Sequence, residues 1–202
     1  MIAILGGTFD PIHKGHLHIA SRVHQLLSVE QVQFMPCAVP VHRAPPQASP
    51  EQRCDMIALG IAGDDRFALN RMEIERNTPS FTIDSLRELR AKGHQKMILI
   101  LGSDAFNVFG TWKQPQEVLE LAHIVVCLRP GEQLKPGCFD SHRVDSAAPL
   151  QVRSSGSILV LEVDAPNCAS SSLRQRLAAS LPVDDCLAAP VVRYIESCQL
   201  YQ

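Results

Sequence analysis

Three histidines, His13, His16 and His18, fall within six positions of one another, just after two glycines, in the stretch G-G-T-F-D-P-I-H-K-G-H-L-H (6–18). Imidazoles gathered beside glycine suit three roles: ligating a metal, donating to a phosphate, or packing. Zinc would need further ligands, and no Cys, Glu or Asp lies on the helix that follows His13 to complete a set. A dinucleotide-binding turn would need G-x-G-x-x-G, and a Walker loop G-x-x-x-x-G-K-[ST]; the stretch supplies neither. A phosphate suits it better. His13 and His16 are three apart at a helix entrance and can point into the same space. The helix N-terminus adds unpaired N–H groups and about half a unit of positive charge. His18, His24, His94, His123 and His142 have no comparable context and are expected on the surface or as satisfied core residues.

The elements that must hold this stretch can be read from apolar periodicity. Strand-length apolar runs occur at 2–5, 32–35, 67–70, 97–101, 124–128 and 158–163. Several are apolar nearly throughout, as strands covered on both faces are. Between them, Leu17, Ile19, Ala20, Val23, Leu26 and Leu27 recur at helical steps over 16–27. Ser49-Pro50-Glu51 starts a helix over 50–62, with an N-cap followed by a proline suited to the first turn. Further helices are predicted at 82–92, 115–122, 171–179 and 188–198. Strand alternating with helix predicts a doubly wound α/β fold: a mostly parallel sheet with helices on both faces. The glycines then fill the turn from the first strand into the first helix, where open parallel sheets bind ligands. Five prolines make 36–50 a surface loop, and 129–157 is expected to be an exposed excursion with one short helix.

Whole-chain properties narrow the class. The 202 residues fit a single domain, with a small helical part at about 170–202. A net charge of −2 gives no bulk attraction to nucleic acid or to an anionic membrane, so an anion site has to be local. No apolar run reaches the ~18–20 residues that span a bilayer, and residues 1–5 lack the basic flank of a signal peptide. Seven scattered cysteines without a C-x-x-C pair predict reduced thiols in a cytoplasmic protein, with Cys127 a core hydrophobe.

The stretch G-G-T-F-D-P-I-H-K-G-H resembles the signature of the H-x-G-H nucleotidylyltransferase superfamily, with His13-Lys14-Gly15-His16 as its core. The longer form is similar to that of the bacterial nicotinate-nucleotide adenylyltransferases. The likeness continues through Pro40-Val41-His42-Arg43, Q-R-C-D-M (52–56), N-T-P-S-F-T (77–82), G-S-D-A-F with F-G-T-W (102–112), L-R-P-G (128–131) and V-V-R-Y-I-E-S-C-Q-L-Y (191–201). The family's second phosphate signature, I-S-S-T-x-I-R, corresponds to Cys168–Arg174, where Ala169 and Ser171 replace a serine and a threonine.

The resemblance implies a Rossmann-like nucleotidylyltransferase fold. It also implies adenylyl transfer from ATP to nicotinate mononucleotide, giving deamido-NAD and pyrophosphate in NAD biosynthesis. His13, His16 and Arg174 would then be catalytic. Gly6, Gly7, Thr8, Phe9 and Ser171 would line the ATP phosphates, and Arg129 would flank the adenine. Thr82, Asp104, Trp112 and backbone near Lys113 would hold the nicotinate mononucleotide, and His42 and Arg43 would form a basic lid. Mg²⁺ would ride on the ATP phosphates, since no acidic cluster offers a cage. No side chain is set up as an activated nucleophile, so direct in-line attack is expected. Nicotinamide mononucleotide and phosphopantetheine are alternative acceptors. A non-catalytic nucleotide-binding protein and a zinc module are alternatives of another class. Monomer and dimer are both compatible with the sequence.

Overall fold

Each apolar run forms a strand because nearly every side chain in it has a buried place on one face of the sheet or the other. The computed structural model describes residues 1–40, 45–76 and 78–202, so His42 and Arg43 lie outside the described residues. The elements are, in order, β1 (Ile2–Gly7), α1 (Lys14–Leu27), β2 (Gln31–Pro36), α2 (Pro50–Ile61), β3 (Phe67–Leu69), α3 (Met72–Arg76), α4 (Thr82–Ala91) and β4 (Met97–Gly102). They continue with α5 (Ser103–Asn107), α6 (Pro115–Leu121), β5 (His123–Leu128), β6 (Arg143–Val144), α7 (Ala148–Val152), β7 (Ile158–Glu162), α8 (Ser170–Ala178) and α9 (Ala189–Ser197). Short 3₁₀ turns lie at Phe109–Thr111 and Asp140–His142. The sheet order is β3-β2-β1-β4-β5-β7-β6, and among the described residues every strand pairing is parallel.

Alternation along the strands divides the core into two layers. Ile2 and Ile4 of β1 share one layer with Met97, Leu99 and Leu101 of β4, covered by α4 through Ile83, Leu86 and Leu89. Ala3 and Leu5 share the opposite layer with Ile98 and Ile100. That side is covered by Val23 and Leu27 of α1, Met56 and Ile57 of α2, Leu173 of α8, and Val191 and Ile195 of α9. The expected doubly wound architecture is the observed one. Since β1 lies between β2 and β4, the chain leaves β1 toward β2 and later crosses to β4. Here the order of the sheet reverses, and the loops after β1 and β4 diverge around a crevice at the carboxyl ends.

The structure departs from the sequence-based expectations in three places. The first helix starts at Lys14 because His13 caps it, ahead of the apolar period. The short helices α3 and α5 and the two-residue β6 had no signal, since five helical residues cover little more than one turn and two strand residues show no alternation, whereas α7 is a short helix within 129–157 as expected. The cysteine expectation is corrected: Cys168 and Cys186 form a disulfide across eighteen residues of sequence. Spacing carries no sign of this pairing, because it depends on the turn at 183–187 packing beside the segment that enters α8. Among the described residues, Cys37, Cys54, Cys127, Cys138 and Cys198 are free, and burial pushes the Cys127 thiol up to about 12, as suits a core residue.

Arg53 of α2 is fully buried and binds the first two strand ends together. Its Nη1 donates to the Thr8 carbonyl and its Nη2 to the Cys37 carbonyl, both at 2.7 Å. Arg53→Met would keep most of the volume and leave both carbonyls unpaired. It is expected to lower stability in urea denaturation by about 3 kcal/mol. Arg193→Met, at an exposed position, should stay within about 0.5 kcal/mol of wild type.

Candidate active site

The site starts where β1 runs out. A Cβ at Gly6 would meet nothing within 4 Å, so the backbone there faces open space at the crevice. A Cβ at Gly7 would come within 3.1 Å of the Phe9 ring. Phe9 takes a left-handed backbone (φ 51°) that folds its side chain back into the core. Its ring meets His16 edge-on at 5.0 Å and Phe34 at 5.8 Å, giving His16 a fixed apolar wall.

His13 and His16 cap each other. The His16 backbone N–H is shared between the His13 carbonyl at 2.9 Å and His13 Nδ1 at 3.4 Å, and the His13 backbone N–H donates to His16 Nδ1 at 3.3 Å. A capping box is usually built from Ser or Thr with Glu or Gln; here imidazoles supply both acceptors. The rings stack at 3.7 Å with 19° between their planes. An imidazole that accepts at Nδ1 while neutral carries its proton at Nε2. The cap therefore makes each neutral ring an Nε2–H donor. His13 is buried, and burial first, then the field of Arg129, lowers its pKa to about 4. Gly15 is required by the same geometry, because a Cβ there would come within 3.0 Å of His13 Nδ1 and 3.3 Å of the Pro166 carbonyl.

A second helix N-terminus closes on this turn. Ala169, the N-cap of α8, makes no side-chain cap. Ser170 Oγ donates to the Pro11 carbonyl at 3.0 Å, and Arg174 Nη1 donates to the Asp10 carbonyl at 2.7 Å. The first turn of α8, with Ser171 exposed on it, is thus clasped to residues 10–11 beside His13. The structure brings together Gly7, Thr8, Phe9, His13, His16 and Arg174, with Ser171 on the adjoining turn.

The remaining candidates lie along the same edge of the sheet. Arg129 is exposed at the end of β5, where its backbone N–H donates to Glu132 at 3.0 Å. The same Glu132 oxygen accepts from Ser103 Oγ at 2.6 Å, joining the ends of β4 and β5. The Ser103 bond, then the Arg129 amide, holds the Glu132 carboxyl below its usual range. Thr82 opens α4, Asp104 lies exposed in the first turn of α5, and the half-buried Trp112 packs edge-on to Phe109 at 5.6 Å. The Lys113 ammonium is engaged by protein, 2.9 Å from Asp84 and 4.6 Å above the Phe81 ring. Asp10, Arg53, Glu132 and Tyr201, which brace the turns around the site, carry no signal of these contacts in the sequence. Asp10 lies inside the glycine–histidine motif and Tyr201 inside the terminal Q-L-Y, and neither motif shows what they touch. Among the described residues no three His, Cys, Asp or Glu side chains gather to hold a metal ion.

The lowered His13 pKa makes stability depend on pH. Between about pH 6.5 and about pH 4 the unfolded chain binds a proton that the folded chain refuses. This contribution is complete above the unfolded value and is lost as pH falls toward 4, by about 3 kcal/mol. Thermal melts from pH 7 downward should therefore show a steeper loss of stability in wild type than in His13→Asn, which keeps a capping acceptor and does not titrate.

Comparison with known proteins gives the family. The model of the cytidylyltransferase-like family matches residues 4–176. A protein of Hydrogenovibrio crunogenus named "Probable nicotinate-nucleotide adenylyltransferase" is 39% identical over 204 residues, covering 100% of this chain and 98% of the relative. A protein of the same name in Marinobacter nauticus is 40% identical over 186 residues, covering 89% and 86%. Among solved structures, the nicotinic acid mononucleotide adenylyltransferase of Plasmodium falciparum, complexed with NaAD, shares the fold at a TM-score of 0.73 and 16% identity, over 99% of this chain and 96% of that one. With the family model spanning most of its length and relatives of this identity matching end to end, the chain belongs to the cytidylyltransferase-like family and, within it, to the nicotinate-nucleotide adenylyltransferases.

Proposed function

We propose that the chain transfers the adenylyl group of ATP to nicotinate mononucleotide, forming nicotinate adenine dinucleotide and releasing pyrophosphate. The observation that carries this reading is the mutually capped pair His13 and His16 at the switch point of the sheet, facing the N-terminus of α8. The relatives' names supply the acceptor, and NaAD, the molecule named with the Plasmodium structure, is the product expected.

In the reaction an oxygen of the nicotinate mononucleotide phosphate attacks the α-phosphorus of ATP. The bond from that phosphorus to the α–β bridging oxygen breaks, and its electron pair leaves with pyrophosphate. The protein forms no covalent bond, so it contributes positioning and charge stabilisation. His13 and His16 donate from Nε2–H toward the α-phosphate, with His16 against the oxygens whose charge rises. Gly6, Gly7, Thr8 and Phe9 line the path of the ATP, Ser171 and Arg174 hold the β- and γ-phosphates, and Arg129 flanks the adenine. Mg²⁺ enters as part of the substrate MgATP and neutralises charge on the phosphates. Thr82, Asp104 and Trp112 take the nicotinate half. With its ammonium engaged by Asp84, Lys113 contributes through its backbone. His42 and Arg43 are assigned to the same substrates by the resemblance of P-V-H-R (40–43) to the family's loop. We assign the reaction to the cytoplasm, where ATP is plentiful, and treat residues 1–202 as one catalytic unit. The described helices include none long and apolar enough to cross a membrane.

The test is pyrophosphate release from MgATP with each acceptor in turn. Nicotinate mononucleotide should turn over fastest, ahead of nicotinamide mononucleotide, with phosphopantetheine inert. ATP binding without turnover on any acceptor, or preference for phosphopantetheine, would contradict the reading. His16→Ala should lower kcat roughly 10²–10³-fold with the fold intact. A change of only a few fold would remove His16 from the chemistry.

A further inference from the structure

The most heavily shared buried carboxylate in the site belongs to Asp10, which is 3% exposed. Its Oδ1 accepts from the Ala48 N–H at 3.1 Å and from the Tyr201 hydroxyl at 2.6 Å. Its Oδ2 accepts from the Gln47 N–H at 2.9 Å. Arg174 Nη1 bonds to the Asp10 carbonyl at 2.7 Å but stays 3.7 Å from Oδ2, beyond hydrogen-bonding reach. The carboxylate is thus tied on both oxygens by groups other than the arginine beside it.

That arrangement matters because Asp10 and ATP would compete for the same cation. An arginine and a carboxylate left to themselves close into a short, forked pair. A guanidinium closed on Asp10 in this way has fewer N–H groups left for a phosphate. The Tyr201 ring is buried in the apolar layer beneath the site, 191 residues away in sequence from the carboxylate it meets. Burial, and then the bond to Asp10, pushes the phenol far above its ordinary range, so its oxygen keeps its proton and remains a donor.

We propose that Tyr201 is a positioning residue for adenylyl transfer: its hydroxyl holds the Asp10 carboxylate away from Arg174 and so leaves the guanidinium directed at the ATP phosphates. The inference rests on the assignment of Arg174 to those phosphates in the proposed function. Removing the hydroxyl leaves Oδ1 on the Ala48 N–H alone, which loosens the carboxylate to turn and close the 3.7 Å gap and withdraws Arg174 from ATP.

The experiment is a double-mutant cycle on MgATP affinity, measured by calorimetry without any acceptor, with thermal melts to confirm folding. Tyr201→Phe should weaken MgATP binding about tenfold, a hydrogen bond to a charged group being the interaction removed. The KM for nicotinate mononucleotide should not move. In the Arg174→Ala background, Tyr201→Phe should cost nothing further, because the residue it acts through is gone. An equal loss in both backgrounds, or unchanged affinity in the folded Tyr201→Phe variant, overturns the inference while leaving the functional reading intact. Wild-type chain that binds MgATP and transfers to no acceptor overturns the functional reading and leaves this cycle interpretable. Should Tyr201→Phe fail to fold, Asp10→Asn takes its place. An amide cannot form the competing ion pair, so affinity should stay within about threefold of wild type, and a loss of tenfold or more overturns the inference.

Discussion

The site depends on the mutual cap between His13 and His16. A helix start leaves backbone N–H groups without partners, and something must accept from them. Here two imidazoles do so, each through Nδ1 and each toward the other's backbone. One constraint thereby starts α1, stacks the rings and assigns the proton of each neutral imidazole to Nε2. It also explains the residues around it. Gly15 must lack a side chain for the His13 ring to lie where it does, and Phe9 must turn back for its ring to wall off His16. Burial keeps His13 uncharged near neutral pH, so it acts as a dipolar donor and not as a counter-ion.

The rest of the fold brings three distant segments to that cap. Parallel order places the ends of β1 and β4 side by side at the reversal of the sheet, so the cradle opens into a crevice and not onto a flat edge. Arg53 ties the turn after β1 to the turn after β2 through two carbonyls. Residues 10–11 receive α8 through Ser170 and Arg174, and the Cys168–Cys186 disulfide joins the entry of α8 to the turn whose Cys186 carbonyl accepts from the Lys14 N–H. Two helix N-termini thus converge on a place where negative charge is expected to develop, and both are held by backbone carbonyls, which do not compete for that charge.

Much of this was legible before the structure. Six of the strands and the six longer helices could be read because each is buried on a defined face, which writes a pattern into its sequence. The glycine–histidine stretch could be read because few ligands suit that residue set at a strand–helix turn. Legibility ended where contacts are long-range or elements short. The helices α3 and α5 and the strand β6 span too little chain to show a pattern. The disulfide pairs two cysteines whose spacing is uninformative. Asp10 and Tyr201 lie in motifs that could be quoted, yet their contact is a tertiary event with no local trace. Lys113 shows the reverse case, since a motif position suggests a ligand while its side chain is already engaged by Asp84 and Phe81.

Presentation of Nε2–H by both rings is tested most directly by long-range proton–nitrogen correlation spectra of the histidines across a pH titration. His13 should show the neutral Nε2–H pattern at pH 7 and titrate near 4, and the His16 ring, wherever it is neutral, should carry its proton at Nε2. An Nδ1–H pattern for either ring, or a His13 already protonated at pH 7, would contradict the account.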